Sequence, residues 1–217
     1  MQFIRAFAMV RRGGNRNEKS SRALIMVTAF LAAAAFRPAM AAEFQLTSSD
    51  IGPDKSLAQD FVFNGFGCSG GNQSPALRWS GAPPATKSYA VALFDPDAMQ
   101  GRGFWHWLMV NIPAGTTSLS RDAGKNDGSK MPSGAAQIRN GFRVVGYSGP
   151  CPPPTDEPHG YVMTIYALKV ATLGVPPDAR SPAMLAAIEA NSLGKASLTY
   201  HFGRKLHRAR ETIDLSA

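Results

Sequence analysis

The chain has only two cysteines in 217 residues, Cys68 and Cys151, and neither lies in a CxxC. A cysteine-rich scaffold is therefore excluded, and the lack of CxxC or HxxxH spacing argues against a structural zinc site. Acidic residues are scarce, 15 against 23 basic, but the resulting charge of +8 does not describe the bulk of the chain. Residues 1–41 hold seven of the basic side chains and one acidic one, Glu18, which leaves +2 over residues 42–217. A nucleic-acid-binding domain normally presents a concentrated basic surface, and no Lys/Arg stripe runs through this sequence, so composition argues against that class. No apolar run reaches the roughly 20 residues that a membrane-spanning helix needs. No G-x-S-x-G occurs, and no Ser or Cys is set in a motif with a histidine, which removes the usual signs of a nucleophilic hydrolase.

What is present fits an ordinary globular protein. Hydrophobic residues make up 44% and charged residues 18%, which rules out disorder, collagen and coiled coil. Residues 42–217 suffice for one domain with a full-sized core, and neither an internal repeat nor a linker divides them. Sixteen prolines and 21 glycines exceed what a helical bundle tolerates and point to strands joined by shaped loops.

The amino terminus reads as an export signal. Residues 1–22 are basic, Ala23–Phe36 form a 14-residue apolar run, and Ala39-Met40-Ala41 offers small residues at the positions a signal peptidase requires. The expected arrangement is a signal peptide over 1–41 followed by a single exported domain over 42–217, with no stable membrane anchor and a periplasmic or secreted location. Arg11-Arg12 leaves Sec and twin-arginine export both open, although Gly13-Gly14 and the distant apolar run favour a plain basic segment. An oxidising compartment permits Cys68 and Cys151 to pair, and a structural disulfide is the first reading, with two separate buried thiols as the other.

Short runs rich in β-branched and aromatic residues recur at Phe61–Phe63, Leu77–Trp79, Ser88–Phe94, Trp105–Ile112, Arg143–Tyr147, Tyr161–Val170 and Ala196–Phe202. Gly, Pro, Asn and Asp clusters separate them, which is the all-β pattern. In Tyr89–Phe94 and Trp105–Ile112 strict alternation fails, so these read as central strands covered on both faces, as in a two-layer sandwich. One helix is expected from Ser181 as N-cap, with Pro182 at its first position, Leu185 and Ile188 on one side and Gly194 available to close it. Residues 113–142, small and polar without a steady period, read as a long surface excursion.

Three clusters could carry chemistry, and each alone also reads as structure: a turn, a satisfied core histidine and a rigid connector. In Phe94-Asp95-Pro96-Asp97 two carboxylates end an apolar strand around a rigid proline, which serves equally as a plain turn or as a pair of fixed ligands. In Phe104-Trp105-His106-Trp107 the alternation of a strand sets His106 with Phe104 and Leu108, opposite both tryptophans. In Gly149-Pro150-Cys151-Pro152-Pro153-Pro154 four prolines in five positions make a stiff loop suited to walling a pocket. His159 and Tyr161 follow, two apart and so on one face of a strand.

Together these segments resemble the phosphatidylethanolamine-binding proteins, the family of Raf kinase inhibitor protein, and especially its bacterial Raf kinase inhibitor-like branch. The residues that carry the resemblance are Cys68–Pro75 with Leu77–Trp79, Tyr89–Ala98, Phe104–Pro113 (FWHWLMVNIP), Gly146–Pro153, His159–Tyr161 into Ile165–Leu168, and Ala196–Arg204 (ASLTYHFGR). It implies two packed antiparallel sheets with few helices, among them one towards the C-terminus, and a small anion-binding pocket. Carried over by position, that pocket is lined by Asp95, His106, Gly149, Pro150, His159 and Tyr161, with Asp97 in support. The sequence departs from the pattern at Met99, where Pro is usual, at Thr155, where Gly commonly follows the prolines, and at Gly160, where H-R-Y is usual. Two imidazoles, a phenol and an orienting carboxylate suit an oxyanion or phosphoryl group, with no cofactor and no metal implied.

The leading expectation is thus a non-enzymatic exported protein that binds small anionic or phosphorylated ligands. A modulator of a kinase or protease is the second reading, and a hydrolase using Asp95 and His106 the third. Export with cleavage predicts a mature chain beginning at Ala42. Intact-mass measurement of protein recovered from an exporting host checks this, and retention of residues 23–36 in the membrane fraction would overturn it.

Overall fold

The computed structural model describes residues 43–54, 56–176 and 178–204; the expected signal segment and its cleavage site lie outside them. The elements in order are β1 (Gln45–Thr47), a 3-10 turn (Gln59–Phe61), β2 (Asn64–Gly65), β3 (Cys68–Ser69), β4 (Leu77–Ser80), β5 (Ser88–Asp95), the tight turn α1 (Ala98–Gly101) and β6 (Phe104–Pro113). They continue with β7 (Ser118–Leu119), β8 (Ala136–Gln137), β9 (His159–Leu168), α2 (Ser181–Ala190) and β10 (Ser192–Phe202). The large sheet has the order β10-β9-β5-β6-β8 and the smaller one β1-β4-β7, with β2 and β3 as a separate hairpin. All these strand pairs are antiparallel.

The failure of alternation in β5 and β6 has a direct cause: both faces of the large sheet are covered. Val91, Leu93, Trp107, Met109, Met163 and Ile165 face the small sheet and meet Leu46, Leu77, Trp79 and Leu119. Ala90, Ala92, Leu108, Val110, Tyr166 and Leu168 face the other way and pack with Leu173 and with Met184 and Ile188 of α2. The expected sandwich of antiparallel sheets is present, and α2 adds partial cover on its outer side. Burying a large apolar side chain contributes about 1.5–3 kcal/mol, so these two interfaces supply most of the driving force for the fold.

Several local expectations are corrected. Phe61–Phe63 is no strand: Phe61 ends the 3-10 turn, the Phe63 amide donates to Pro150 O at 3.1 Å, and Phe61 O accepts from the Tyr147 hydroxyl at 2.8 Å. Its backbone groups bond to the 3-10 turn, to the Gly70 and Asn72 amides, to the Tyr147 hydroxyl and, through the Phe63 amide, to the proline loop, rather than forming a strand ladder. Arg143–Tyr147 is also irregular, because Arg143 (φ 63°) and Gly146 (φ 106°) interrupt any extended run. The segment 113–142 is more than a surface excursion: it supplies β7 and β8 and buries Ala123, Ile138 and Asn140. Ser181 does not cap α2. It is the first helical residue, Arg180 takes the cap position, and the Ser181 hydroxyl donates to Arg139 O at 2.9 Å. Gly194 lies within β10 beside a register irregularity rather than closing the helix.

The most consequential correction concerns His106. Leu93 pairs with Trp107 and Phe94 with Trp105, so His106 is the extra residue of a β-bulge. The bulge reverses the alternation: Trp105 joins Leu108 and Val110 on the α2 side, while His106 turns towards Tyr161 on the other.

Cys68 and Cys151 form a disulfide with Cα atoms 6.1 Å apart, tying the β2–β3 hairpin to the proline loop. The bridge closes a separation of 83 residues, for which restriction of the unfolded chain predicts a stabilisation of about 4 kcal/mol. Reduction is expected to lower the melting temperature clearly. Calorimetry with and without reductant checks this, and identical melting curves for verified oxidised and reduced protein would refute it.

Candidate functional site

A pocket of about 200 Å³ opens at the end of the large sheet where β5, β6 and β9 come together with the proline loop. Asp95 closes β5 with 2% of its surface exposed. Its Oδ1 accepts hydrogen bonds from the amides of Asp97 (2.9 Å) and Ala98 (3.0 Å), and its Oδ2 accepts one from His159 Nδ1 (2.8 Å). The turn reading and the ligand reading of this acid therefore both apply, to different oxygens of one carboxylate. Asp97 is exposed and does not line the pocket. Its Oδ2 accepts the Gly160 amide at 2.7 Å, which locks the turn after β5 to the start of β9.

The two histidines differ in character. His106 is 4% exposed and walled by Phe104, Phe142 and Tyr161, with ring centroids 5.1, 6.0 and 5.3 Å from its own, all edge-on. Its Nδ1 lies 2.8 Å from Ser148 O, and because a carbonyl only accepts, Nδ1 carries the proton. Burial lowers its pKa, more than the Ser148 hydrogen bond and the Asp95 charge raise it. His106 is accordingly neutral near pH 7, with Nε2 as an acceptor 3.9 Å from Asp95 Oδ2, beyond hydrogen-bond reach. For His106, desolvation outweighs the pull of the Asp95 charge.

His159 behaves in the opposite way. Burial again pulls its pKa down, but the hydrogen bond and charge of Asp95, joined by Asp156 and Asp97, outweigh it and raise the value. Its Nδ1–H donates to Asp95 and its Nε2 lies 3.4 Å from Asp156 Oδ2. Tyr161 stands two residues on, its ring stacked 6.4 Å from that of His159 and 5.6 Å from that of Tyr200. The Tyr161 hydroxyl is fully buried with no hydrogen-bond partner among the described residues. Burial, and then the nearby Asp95 charge, pushes the phenol above its ordinary value, so it remains an O–H donor.

The structure thus brings Asp95, His106, His159 and Tyr161 to one pocket and sets Gly149 and Pro150 behind its wall. A Cβ at Gly149 would fall 2.1 Å from Phe61 O, so this glycine permits a close backbone approach. The Gly149 amide donates to Asn72 Oδ1 at 2.8 Å, and Pro150 O accepts from Phe63. Cys151, Pro152 and Pro153 form the wall itself, as expected of a stiff proline loop. Met99, at the rim, has φ 55°, which a proline ring cannot adopt, so the usual Pro does not fit this turn as the chain builds it. Thr155 is exposed and bonds only its neighbour Asp156, at 3.3 Å. At Gly160 a Cβ would make ordinary contacts of 3.5 Å or more, so a side chain fits there, yet no guanidinium lines the pocket among the described residues.

Sequence reasoning missed Phe142 and Asp156. Phe142 lay in the presumed surface excursion and carried no periodic signal; it reaches the pocket through the turn in which Asn140 Oδ1 accepts the Phe142 amide at 2.9 Å. Asp156 was legible as an acid three residues before His159, a spacing that brings the two together across one turn. Among the described residues no group of three or more His, Cys, Asp and Glu is disposed to hold a metal ion.

Comparison with known proteins agrees with this arrangement. The family model for phosphatidylethanolamine-binding protein matches residues 47–203. The chain is 49% identical over 163 residues to the UPF0098 protein YbcL of Escherichia coli K12, covering 74% of this chain and 88% of that one. It is 39% identical over 158 residues to YbhB of the same organism, covering 73% and 99%. Over 137 residues it is 36% identical to LppC of Mycobacterium tuberculosis H37Rv, a protein named as a lipoprotein, covering 63% of each. The crystal structure of E. coli YbcL, described as a new member of the mammalian PEBP family, superposes with a TM-score of 0.73 and 46% identity over 76% of this chain and all of that one. With the family pattern matched over most of its length and the fold shared with a solved relative, the chain belongs to the phosphatidylethanolamine-binding protein family.

Proposed function

We propose that the protein is a non-enzymatic binder of small anionic or phosphoryl-bearing ligands, which it holds in the His106/His159 pocket after export. The observation that carries this reading is the Asp156 carboxylate opposite His159 Nε2: an exposed side-chain oxyanion already occupies the position a ligand oxygen would take. Asp156 can swing into solvent and be replaced, whereas Asp95 is held from behind by two amides and His159 Nδ1. Protonated His159 then donates to the ligand, the unpartnered Tyr161 O–H adds a second donor, and neutral His106 accepts from an O–H of a partly protonated phosphate or phosphoester.

The same geometry speaks for binding over hydrolysis. A hydrolase using Asp95 as base needs a free carboxylate, and the Asp95 oxygens are committed to the turn and to His159. Export is supported by the amino-terminal pattern and by the lipoprotein name of the M. tuberculosis relative. No helix among the described residues is long and apolar enough to cross a membrane.

Calorimetric titration with inorganic phosphate tests the assignment. His159→Ala should weaken binding about ten- to hundredfold, as expected for loss of a charge-assisted hydrogen bond worth about 1.5–3 kcal/mol, and His106→Ala by about two- to tenfold, for loss of a neutral acceptor worth about 0.5–1.5 kcal/mol. Wild-type affinity in both variants would refute the pocket.

The pH dependence has a definite sign. His159 has a raised pKa, so its charge, and with it the affinity, is fully present below the ordinary histidine value of 6.5 and is lost as pH rises through the raised value. Asp156→Asn should strengthen phosphate binding by removing the competing carboxylate. A weaker complex in that variant, measured below pH 6.5, would mean that Asp156 is part of the site rather than a stand-in for its ligand.

A further inference from the structure

A second cleft, of about 610 Å³, adjoins the histidine pocket; Met99 and Phe104 line both. Four arginines converge on it from three separate stretches of chain: Arg102 after α1, Arg139 and Arg143 in the turn after β8, and Arg180 ahead of α2. One acidic residue, Asp178, shares the lining. Among the described residues none of the four guanidiniums forms a salt bridge. Arg102 and Arg139 each spend one N–H on a backbone carbonyl, Met99 O at 3.2 Å and Arg143 O at 3.1 Å. Arg143 and Arg180 make no side-chain hydrogen bond to another described residue.

The fold holds these groups together deliberately. Arg139 and Arg180 form an isolated parallel bridge, reinforced by the bond from the Ser181 hydroxyl to Arg139 O. The Gly141 amide donates to Trp105 O at 2.8 Å, and a Cβ at Gly141 would lie 2.4 Å from the Phe104 ring, so a glycine is needed for the arginine-bearing turn to close on the aromatic floor. Four arginines against the single acid Asp178 leave the cleft net positive, which a bound anion neutralises. The guanidinium fork matches phosphate or carboxylate oxygens in pairs, and all four arginines are exposed to solvent, where an incoming anion can reach them.

Resting on the phosphoryl-binding reading of the histidine pocket, we propose that the arginine cleft is a second anion subsite joined to that pocket across Met99 and Phe104. The ligand is then a molecule with two anionic groups separated by a short apolar spacer, rather than a lone phosphate. Each group alone binds weakly, and joining them raises affinity through effective concentration.

The probes are alkane-α,ω-bisphosphonates of graded spacer length and the matching alkyl monophosphonates, titrated calorimetrically into the oxidised mature protein. At the best spacer the bisphosphonate should bind at least about tenfold more tightly than its monophosphonate. In Arg143→Gln/Arg180→Gln the bisphosphonate should fall to about the affinity the wild type shows for the monophosphonate, while Arg143→Lys/Arg180→Lys, which keeps the charge but loses the fork, should keep only part of the gain. Melting curves identify any variant that is misfolded; if the glutamine pair is, a partial loss of the gain in the folded lysine pair supports the joined site and an undiminished gain overturns it. A bisphosphonate no tighter than its monophosphonate at any spacer, in a protein whose phosphate binding requires His106, overturns the joined site alone. An advantage that survives the Arg→Gln pair overturns it too. Loss of the His106 and His159 dependence, with bisphosphonate binding governed by the arginines only, overturns both the joined site and the phosphoryl-binding reading.

Discussion

A carboxylate removed from water must find its compensation within a few ångströms, and at Asp95 that requirement organises the surrounding structure. Its Oδ1 gathers the Asp97 and Ala98 amides, which bends the chain sharply after β5. Its Oδ2 takes the Nδ1–H of His159 from the far edge of β9, fixing that ring's tautomer and turning Nε2 outwards. Asp97, delivered by the same turn, reaches the Gly160 amide and clamps the two strand ends together. One buried charge thus sets the path of a turn, the register of a strand end and the protonation of a histidine.

The histidine pair gains its asymmetry from position rather than residue type. Aromatic rings enclose His106, and its ring is hydrogen-bonded to the Ser148 carbonyl, whereas three carboxylates face His159. Desolvation governs the first and charge the second, giving an acceptor and a donor from two identical side chains. The Asn140 side chain braces this arrangement through bonds to His106 O (3.2 Å) and Gly146 O (3.0 Å), which fix the bulge beside the turn before the proline loop.

Much of this was legible in the sequence. Strands β4, β5, β6, β9 and β10 announced themselves through β-branched and aromatic runs, and the loss of alternation in β5 and β6 correctly signalled two covered faces. The motif residues Asp95, His106, His159 and Tyr161 do converge. What escaped were features set by tertiary contact alone. A bulge leaves no mark in a pattern of apolar letters, so Trp105 was set with Trp107 and His106 with Leu108, although His106 does lie beside Phe104 and opposite Trp105. Phe61–Phe63 looked like a strand because its residues suit one, but the partner of its Phe63 amide is the proline loop, 87 residues further along the chain at Pro150. The arginine cleft was invisible to composition, since Arg102, Arg139, Arg143 and Arg180 are scattered singly and meet only through the bridge beside α2. A test for a basic stripe therefore found nothing, correctly, while a basic cleft existed.

The placement of β9 bears on when the pocket comes into being. That strand carries His159 and Tyr161, and it is paired on one edge with β5 and on the other with β10, which ends at Phe202. Tyr161 pairs directly with Tyr200, so its ring is backed only once nearly the whole domain has been synthesised. A nascent or partly unfolded chain offers Asp95 and His106 but no assembled pocket. The pocket is therefore completed late in folding, when β10 pairs with β9, rather than with the strands that carry Asp95 and His106.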